Sequence, residues 1–196
     1  MAIRDNLKFL IEFARRPKNT GAIAPSSRYL AGEIVSEIGL EEASLVVEYG
    51  PGSGAFTGEI VRQMPADADF IALENNAEMI DMLRRAHPEV SVVNESIARA
   101  ADVLREHGWE PPAVDAIVSG LPWASFNDDL QDRLLEATVD ILRPGAHFAT
   151  FAYIHGMVLP SAQRFRQKLN RHFTEVTTSP IVWRNLPPAF VYRCKR

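Results

Sequence analysis

Glu48, Gly50, Gly52 and Gly54 stand within seven residues of one another in the stretch VEYGPGSGAFTGEI, Val47 to Ile60, which holds three of the chain's 11 glycines in five positions. Glycines between a strand and a helix permit positive backbone φ and close backbone approach, and the helix N-terminus that follows faces a ligand. That is the chemistry of a nucleotide cofactor. Gly50, Gly52 and Ala55 satisfy the dinucleotide spacing G-x-G-x-x-G/A. Glu74 falls 20 residues beyond Gly54, where a carboxylate grips a ribose diol, with Asn75 beside it. Glu48 weighs against a dinucleotide, because a carboxylate repels a pyrophosphate but attracts the ammonium and sulfonium of S-adenosyl-L-methionine. That molecule is the expected cofactor.

Two further stretches extend the site. In NESIARA, Glu95 is placed to accept from an adenine amino group and Ile97 to pack on the ring, with Ser96 between them. The same Asn94, Glu95 and Ser96 equally suit the capping of a helix. In SGLPWASF, Ser119 to Phe126, the chain turns without a helix where a substrate would meet the cofactor. Pro122 fixes the backbone so that the carbonyls of Ser119, Gly120 and Leu121 can accept from an amine, and the Trp123 face can hold an ammonium. Tyr153 and His155 are candidates to touch substrate, with core packing as the alternative. Ser26 and Ser27 read as helix caps or, with Arg28, as phosphate ligands. The five histidines show no ligand spacing, so no metal is expected.

The elements that must position these residues alternate. Apolar runs of strand length occur at 44–50, 69–74, 90–94, 114–120 and 146–153, followed by 172–183 and 189–195 as a closing pair joined by a short turn. Helical segments are expected at 55–64, 76–86, 97–107, 127–142 and 161–171. The pattern predicts a doubly wound α/β fold: a seven-stranded, mostly parallel sheet with helices on both faces and one antiparallel strand near the end. With 196 residues and 46% hydrophobic composition, a single domain spanning 1–196 is expected.

Charge is unevenly spread. Residues 1–28 carry six basic and two acidic side chains, 29–163 carry seven and 22, and 164–196 carry eight and one, for a net −4. Basic ends on an acidic body suggest termini that converge on something anionic, with a chance distribution of solvated faces as the alternative. Within residues 1–18, Ile3, Leu7, Leu10, Ile11 and Ala14 share one side of an expected helix whose other residues include Arg4, Lys8, Arg15 and Arg16. Such a helix can cover the sheet or lie in the interface of an anionic bilayer. No transmembrane helix is expected, Asp5 and Glu12 break up the apolar run a secretory signal would need, and the lone Cys194 offers no disulfide framework, so a cytoplasmic, peripherally membrane-associated protein is expected.

VEYGPGSGAFTGEI, ALENNAEM and GLPW together resemble the class I methyltransferase signatures, in the version shared by ribosomal RNA adenine dimethylases and bacterial phospholipid N-methyltransferases. NTGAIAPSSRYLA, from Asn19 to Ala31, and VWRNLPPAFVYRC, from Val182 to Cys194, resemble the flanking blocks of the bacterial phosphatidylethanolamine N-methyltransferases. The resemblance implies methyl transfer from S-adenosylmethionine to the ethanolamine amine of a phospholipid at a membrane surface, with Arg184 joining Ser26, Ser27 and Arg28 around the substrate. Where the dimethylases begin their amine-gripping motif with Asn, this chain has Gly120, and Trp123 supplies the aromatic. Nucleic acid is therefore not the expected partner. An RNA adenine or small-molecule amine methyltransferase, or a non-catalytic nucleotide-binding protein, remain the alternatives.

Overall fold

Seven strands pair into one sheet in a computed structural model that describes residues 26–196. They are β1 (Leu45–Tyr49), β2 (Asp69–Leu73), β3 (Ser91–Val93), β4 (Val114–Ser119), β5 (Leu142–Tyr153), β6 (Glu175–Thr178) and β7 (Ala189–Lys195), in the order β3-β2-β1-β4-β5-β7-β6. Only β7 is reversed, antiparallel to both β5 and β6, as the alternating pattern predicts. The amphipathic helix expected over 1–18 lies outside the described residues.

β1 is buried along its whole length, because helices cover both faces of a parallel sheet. Alternation sorts its side chains. Leu45, Val47 and Tyr49 join a core with α4 (Ala100–Glu106), α5 (Asp128–Ile141) and α6 (Pro160–His172), while Val46 joins the opposite core with α1 (Arg28–Val35), α2 (Thr57–Gln63) and α3 (Ala77–Ala86). Glu48 is thereby directed to the α1–α3 side. The chain winds outward from β1 in both directions, to β2 on one edge and to β4 on the other, so the carboxyl ends of these strands flank a topological switch point.

Two boundaries differ from the periodic reading. β5 begins at Leu142, directly after α5, and its pairing with β4 is irregular between Val114 and Ala116. The strand expected over 172–183 spans only Glu175–Thr178, leaving a ten-residue connection at 179–188 in place of a short turn. Ser179 ends the regular pairing, its backbone N–H donating to the Val191 carbonyl and its Oγ accepting from the Val191 N–H, and Pro180 has no N–H to extend the ladder. Among the described residues, no helix is long and apolar enough to cross a membrane.

Candidate cofactor and substrate site

The glycine turn leaves β1 with Gly50, Gly52 and Gly54 at φ 60°, 55° and 84°. A side chain at Gly52 would meet nothing within 4 Å, so the turn opens outward there. Glu74, the first residue after β2, lies across it. Its Oε2 accepts from the Gly52 N–H at 3.2 Å, and its Oε1 accepts from the N–H groups of Asn75 and Asn76 at 2.8 and 2.9 Å. Three backbone donors thus hold this carboxylate across the exits of β1 and β2. Asn75 contributes only its backbone, and its side chain is exposed.

Glu48 is fully buried. Its Oε2 accepts from Thr57 Oγ1 at 2.7 Å, whereas Oε1 has no partner. Burial pushes its carboxyl up to about 8; the Glu74 charge adds to this and the Thr57 hydrogen bond opposes it. A buried acceptor without a donor is rare. An ammonium beside it would satisfy Oε1 and restore the ionised form, so this residue pair suits the methionine end of S-adenosylmethionine. Thr57 is not conspicuous in the sequence; its position nine residues after Glu48, at the start of α2, was the available signal.

Gly120 closes the other side. Its N–H donates to the Tyr49 carbonyl at 2.8 Å, and a Cβ there would come within 2.6 Å of the Gly50 carbonyl oxygen. The exits of β1 and β4 touch, with no room between them for a side chain.

The rest of SGLPWASF departs from expectation. Trp123 is 2% exposed; its indole stacks on Phe165 and meets Phe126 and Phe148 edge-on, while its Nε1 donates to Ser119 Oγ at 2.9 Å. It is part of the core and offers no face to an ammonium, because the aromatic cluster under α6 takes both its sides. The Ser119 carbonyl accepts from Thr150 Oγ1 and that of Leu121 from the Trp123 N–H. Of the three carbonyls expected to be free, Gly120's alone has no hydrogen bond among the described residues. Similarly, Ile97 is buried in the core facing α5 rather than open to a ring, and Ser96 caps the short 3-10 turn Ile97–Arg99 by accepting from the Ala98 N–H. Glu95 accepts from the Ser96 N–H and pairs with Arg99, so capping and ion pairing already engage it.

At the far end of β5 lies an aromatic row. Phe56, two residues past Gly54, meets Phe151; Phe151 meets Tyr153; and Tyr153 stacks on His155, with centroid separations of 5.8, 5.3 and 5.6 Å. The row runs from the glycine turn to the sheet's carboxyl rim. Burial pushes the Tyr153 phenol up to about 12, so it remains a neutral donor near pH 7 and is unsuited to take a proton from an amine. His155 is exposed.

The start of the described chain and the 179–188 connection meet at the same rim. Ser27 caps α1, its Oγ accepting from the Leu30 N–H, and its own N–H donates to Asn185 Oδ1 at 2.9 Å; Ser26 lies one residue ahead. Arg28 and Arg184 both donate to the Tyr29 hydroxyl, at 3.0 and 2.8 Å, with their guanidinium carbons 5.0 and 4.9 Å from its ring centre. Neither guanidinium has a carboxylate partner among the described residues. Tyr29 and Asn185 were not singled out by sequence, although each adjoins an arginine that was.

A parallel sheet with one reversed strand, a glycine turn after β1 and carboxylates at the ends of β1 and β2 define a class I S-adenosylmethionine-dependent methyltransferase. Residues 46–145 match the family described as Methyltransferase domain, and the chain belongs to that family. It is similar to the ornithine lipid N-methyltransferase of Singulisphaera acidiphila, 30% identical over 196 residues that cover 98% of this chain and 97% of that protein. A more local similarity, 39% over 61 residues, links it to ribosomal RNA small subunit methyltransferase A of Chlorobaculum parvum, covering 31% of this chain and 21% of that one. Among solved structures, the O-methyltransferase from Bacillus cereus in complex with SAH shares the fold at a TM-score of 0.67 and 15% identity, over 96% of this chain and 89% of that chain.

Proposed function

We propose that the protein is a lipid N-methyltransferase acting on the amine of a headgroup at a membrane surface, with phosphatidylethanolamine as the substrate that its flanking blocks imply. The observation carrying this reading is the end-to-end similarity to a lipid N-methyltransferase, over 98% of this chain, whereas the likeness to the RNA enzyme covers only 31% of it. The name of that relative favours a second substrate, the amine of an ornithine headgroup.

S-adenosylmethionine supplies a methyl group on a cationic sulfur, which an unprotonated amine displaces directly. In this reading Glu48 holds the methionine ammonium and Glu74 the ribose diol, while Gly52 lets the backbone approach the cofactor. The Gly120 carbonyl orients the amine by accepting from it, and Tyr153 with His155 forms the aromatic wall beside the methylated product. The amine loses its proton to His155 or water, since the Tyr153 phenol keeps its own. Ser26, Arg28 and Arg184 face the anionic part of the headgroup.

Labelled S-adenosylmethionine, offered with phosphatidylethanolamine, ornithine lipid, RNA and small amines in separate reactions, tests the assignment. Label in a lipid amine is the expected outcome. Label confined to RNA or to water-soluble amines overturns it.

A further inference from the structure

Eight large apolar side chains stand exposed among the described residues, and all but Met82 lie at one end of the molecule. Met157, Val158 and Leu159 occupy the segment after β5. Ile181, Trp183 and Leu186 occupy the 179–188 connection, and Tyr29 starts α1 beside it. The two longer segments leave the sheet together: Tyr153 pairs with Ala189, and the Ile154 N–H donates to the Pro188 carbonyl at 3.1 Å. Val158 is 78% exposed, Leu186 74% and Trp183 71%. Apolar groups scattered singly over a surface need no explanation, but a cluster on adjoining loops marks a surface that meets something apolar.

The charge beside it selects the occupant. Residues 154–174 and 176–196 contain no Asp or Glu, and Arg28 and Arg184 stand in the cluster with Tyr29 between them. Aliphatic tips, an indole and a tyrosine flanked by guanidiniums match the graded boundary of a membrane, where chains enter the acyl edge and amphipathic rings and cations meet headgroups. We propose that this carboxyl rim is the membrane-docking face, its two loops inserting Val158, Trp183 and Leu186 into a leaflet that carries anionic lipid. The inference rests on the lipid reading for its purpose and explains access: Gly52, Glu74 and Gly120 follow the carboxyl ends of β1, β2 and β4 at the same rim of the sheet, so docking presents headgroups to the site without crossing the protein. It needs no transmembrane segment.

Vesicles of phosphatidylethanolamine and phosphatidylglycerol test it, using the full chain and intrinsic fluorescence. Trp123 is buried, and Trp109 is half-buried at the opposite rim with its Nε1 on Asp69 at the start of β2, so an environment change on binding should report Trp183: its emission shifts to the blue, lipids brominated on the acyl chain quench it, and Trp183→Phe removes most of that quenching. A Val158→Ser, Leu186→Ser double variant should partition into the vesicles at least about tenfold more weakly, since each side chain gives up apolar burial. Its affinity for S-adenosylmethionine, read by calorimetry, should match the parent and so certify its fold. Equal partition of parent and double variant overturns the proposal, as does a blue shift that follows protein concentration without vesicles, which would make the face a contact between two copies. Vesicle binding through Trp183 with no lipid methylated would leave the docking face standing and remove the lipid-methylation reading. Lipid methylation with vesicle binding unaffected by the double variant would do the reverse.

Discussion

Glu48 spends its proton in two ways that can be measured apart. In the folded chain its carboxyl is raised from 4.5 to about 8 by burial, so folding takes up a proton between those values. The folded state binds more protons than the unfolded one in that window, and stability therefore falls as pH rises through it, by a total on the order of 5 kcal/mol. Glu48→Gln should flatten this slope and be the more stable chain at pH 8, as read by urea unfolding at three pH values. An ammonium held by Glu48 must expel the same proton. Calorimetry near pH 6.5, in buffers of different ionisation enthalpy, should show about one proton released on binding S-adenosylmethionine, and none in Glu48→Gln. Release from both would place the ammonium elsewhere. Trp123 carries the opposite lesson. Its location after β4 was legible, but its burial was not, because an aromatic at a strand exit reads alike whether it faces a ligand or the helix packed behind it. With its indole enclosed by Phe126, Phe148 and Phe165, Trp123→Ala should cost about 3–5 kcal/mol in unfolding free energy. A stable variant with slow turnover would instead return the residue to the substrate.

Strand existence and order of direction were readable because fully buried parallel strands are runs of Val, Ile, Leu and Ala that no surface helix imitates. The closing pair was harder. HFTEVTTSPIVW is rich in β-branched residues throughout, yet Ser179 bonds to Val191 on both its donor and acceptor sides and Pro180 cannot continue, so tertiary pairing cut the strand at Thr178. The connection that results is what reaches α1. That helix is tied to β7 and its preceding loop at both ends, by the Ser27 N–H on Asn185 and by Arg193, 8% exposed, which donates to the carbonyls of Ser36 and Glu33 and to Glu33 Oε1. No periodicity signals such a tie, since the partners are more than 150 residues apart. Arg193→Met would leave those carbonyls without their donor while keeping most of the side-chain volume. It should lower stability by about 2–4 kcal/mol in urea unfolding. Because the same helix presents Arg28, its cofactor affinity should change far less than its binding to anionic vesicles. A variant that loses both equally would show that α1 supports the whole sheet rather than the rim.

Across the whole molecule, the reversal of β7 decides on which rim the 179–188 connection lies. With all seven strands parallel, the 179–188 connection would have to cross from one rim to the other. Because β7 alone runs backward, that connection turns at the carboxyl rim, where Arg184 shares the Tyr29 hydroxyl with Arg28 at the start of α1. The acidic middle of the chain, seven basic against 22 acidic residues over 29–163, supplies the rest of the body. A body of that sign is repelled by an anionic membrane, so an approach to one must be led by the rim. Arg28→Gln with Arg184→Gln should thus weaken binding to vesicles containing phosphatidylglycerol by roughly tenfold or more at low salt, and leave the weaker binding to purely zwitterionic vesicles nearly unchanged. Raising ionic strength toward 1 M, where the screening length falls to about 3 Å, should bring the parent down to the level of the variant. Co-sedimentation across both vesicle types and both salt conditions makes the comparison. If the double substitution weakens binding equally to charged and zwitterionic surfaces, the arginines are organising the apolar loops and not sensing the membrane's charge.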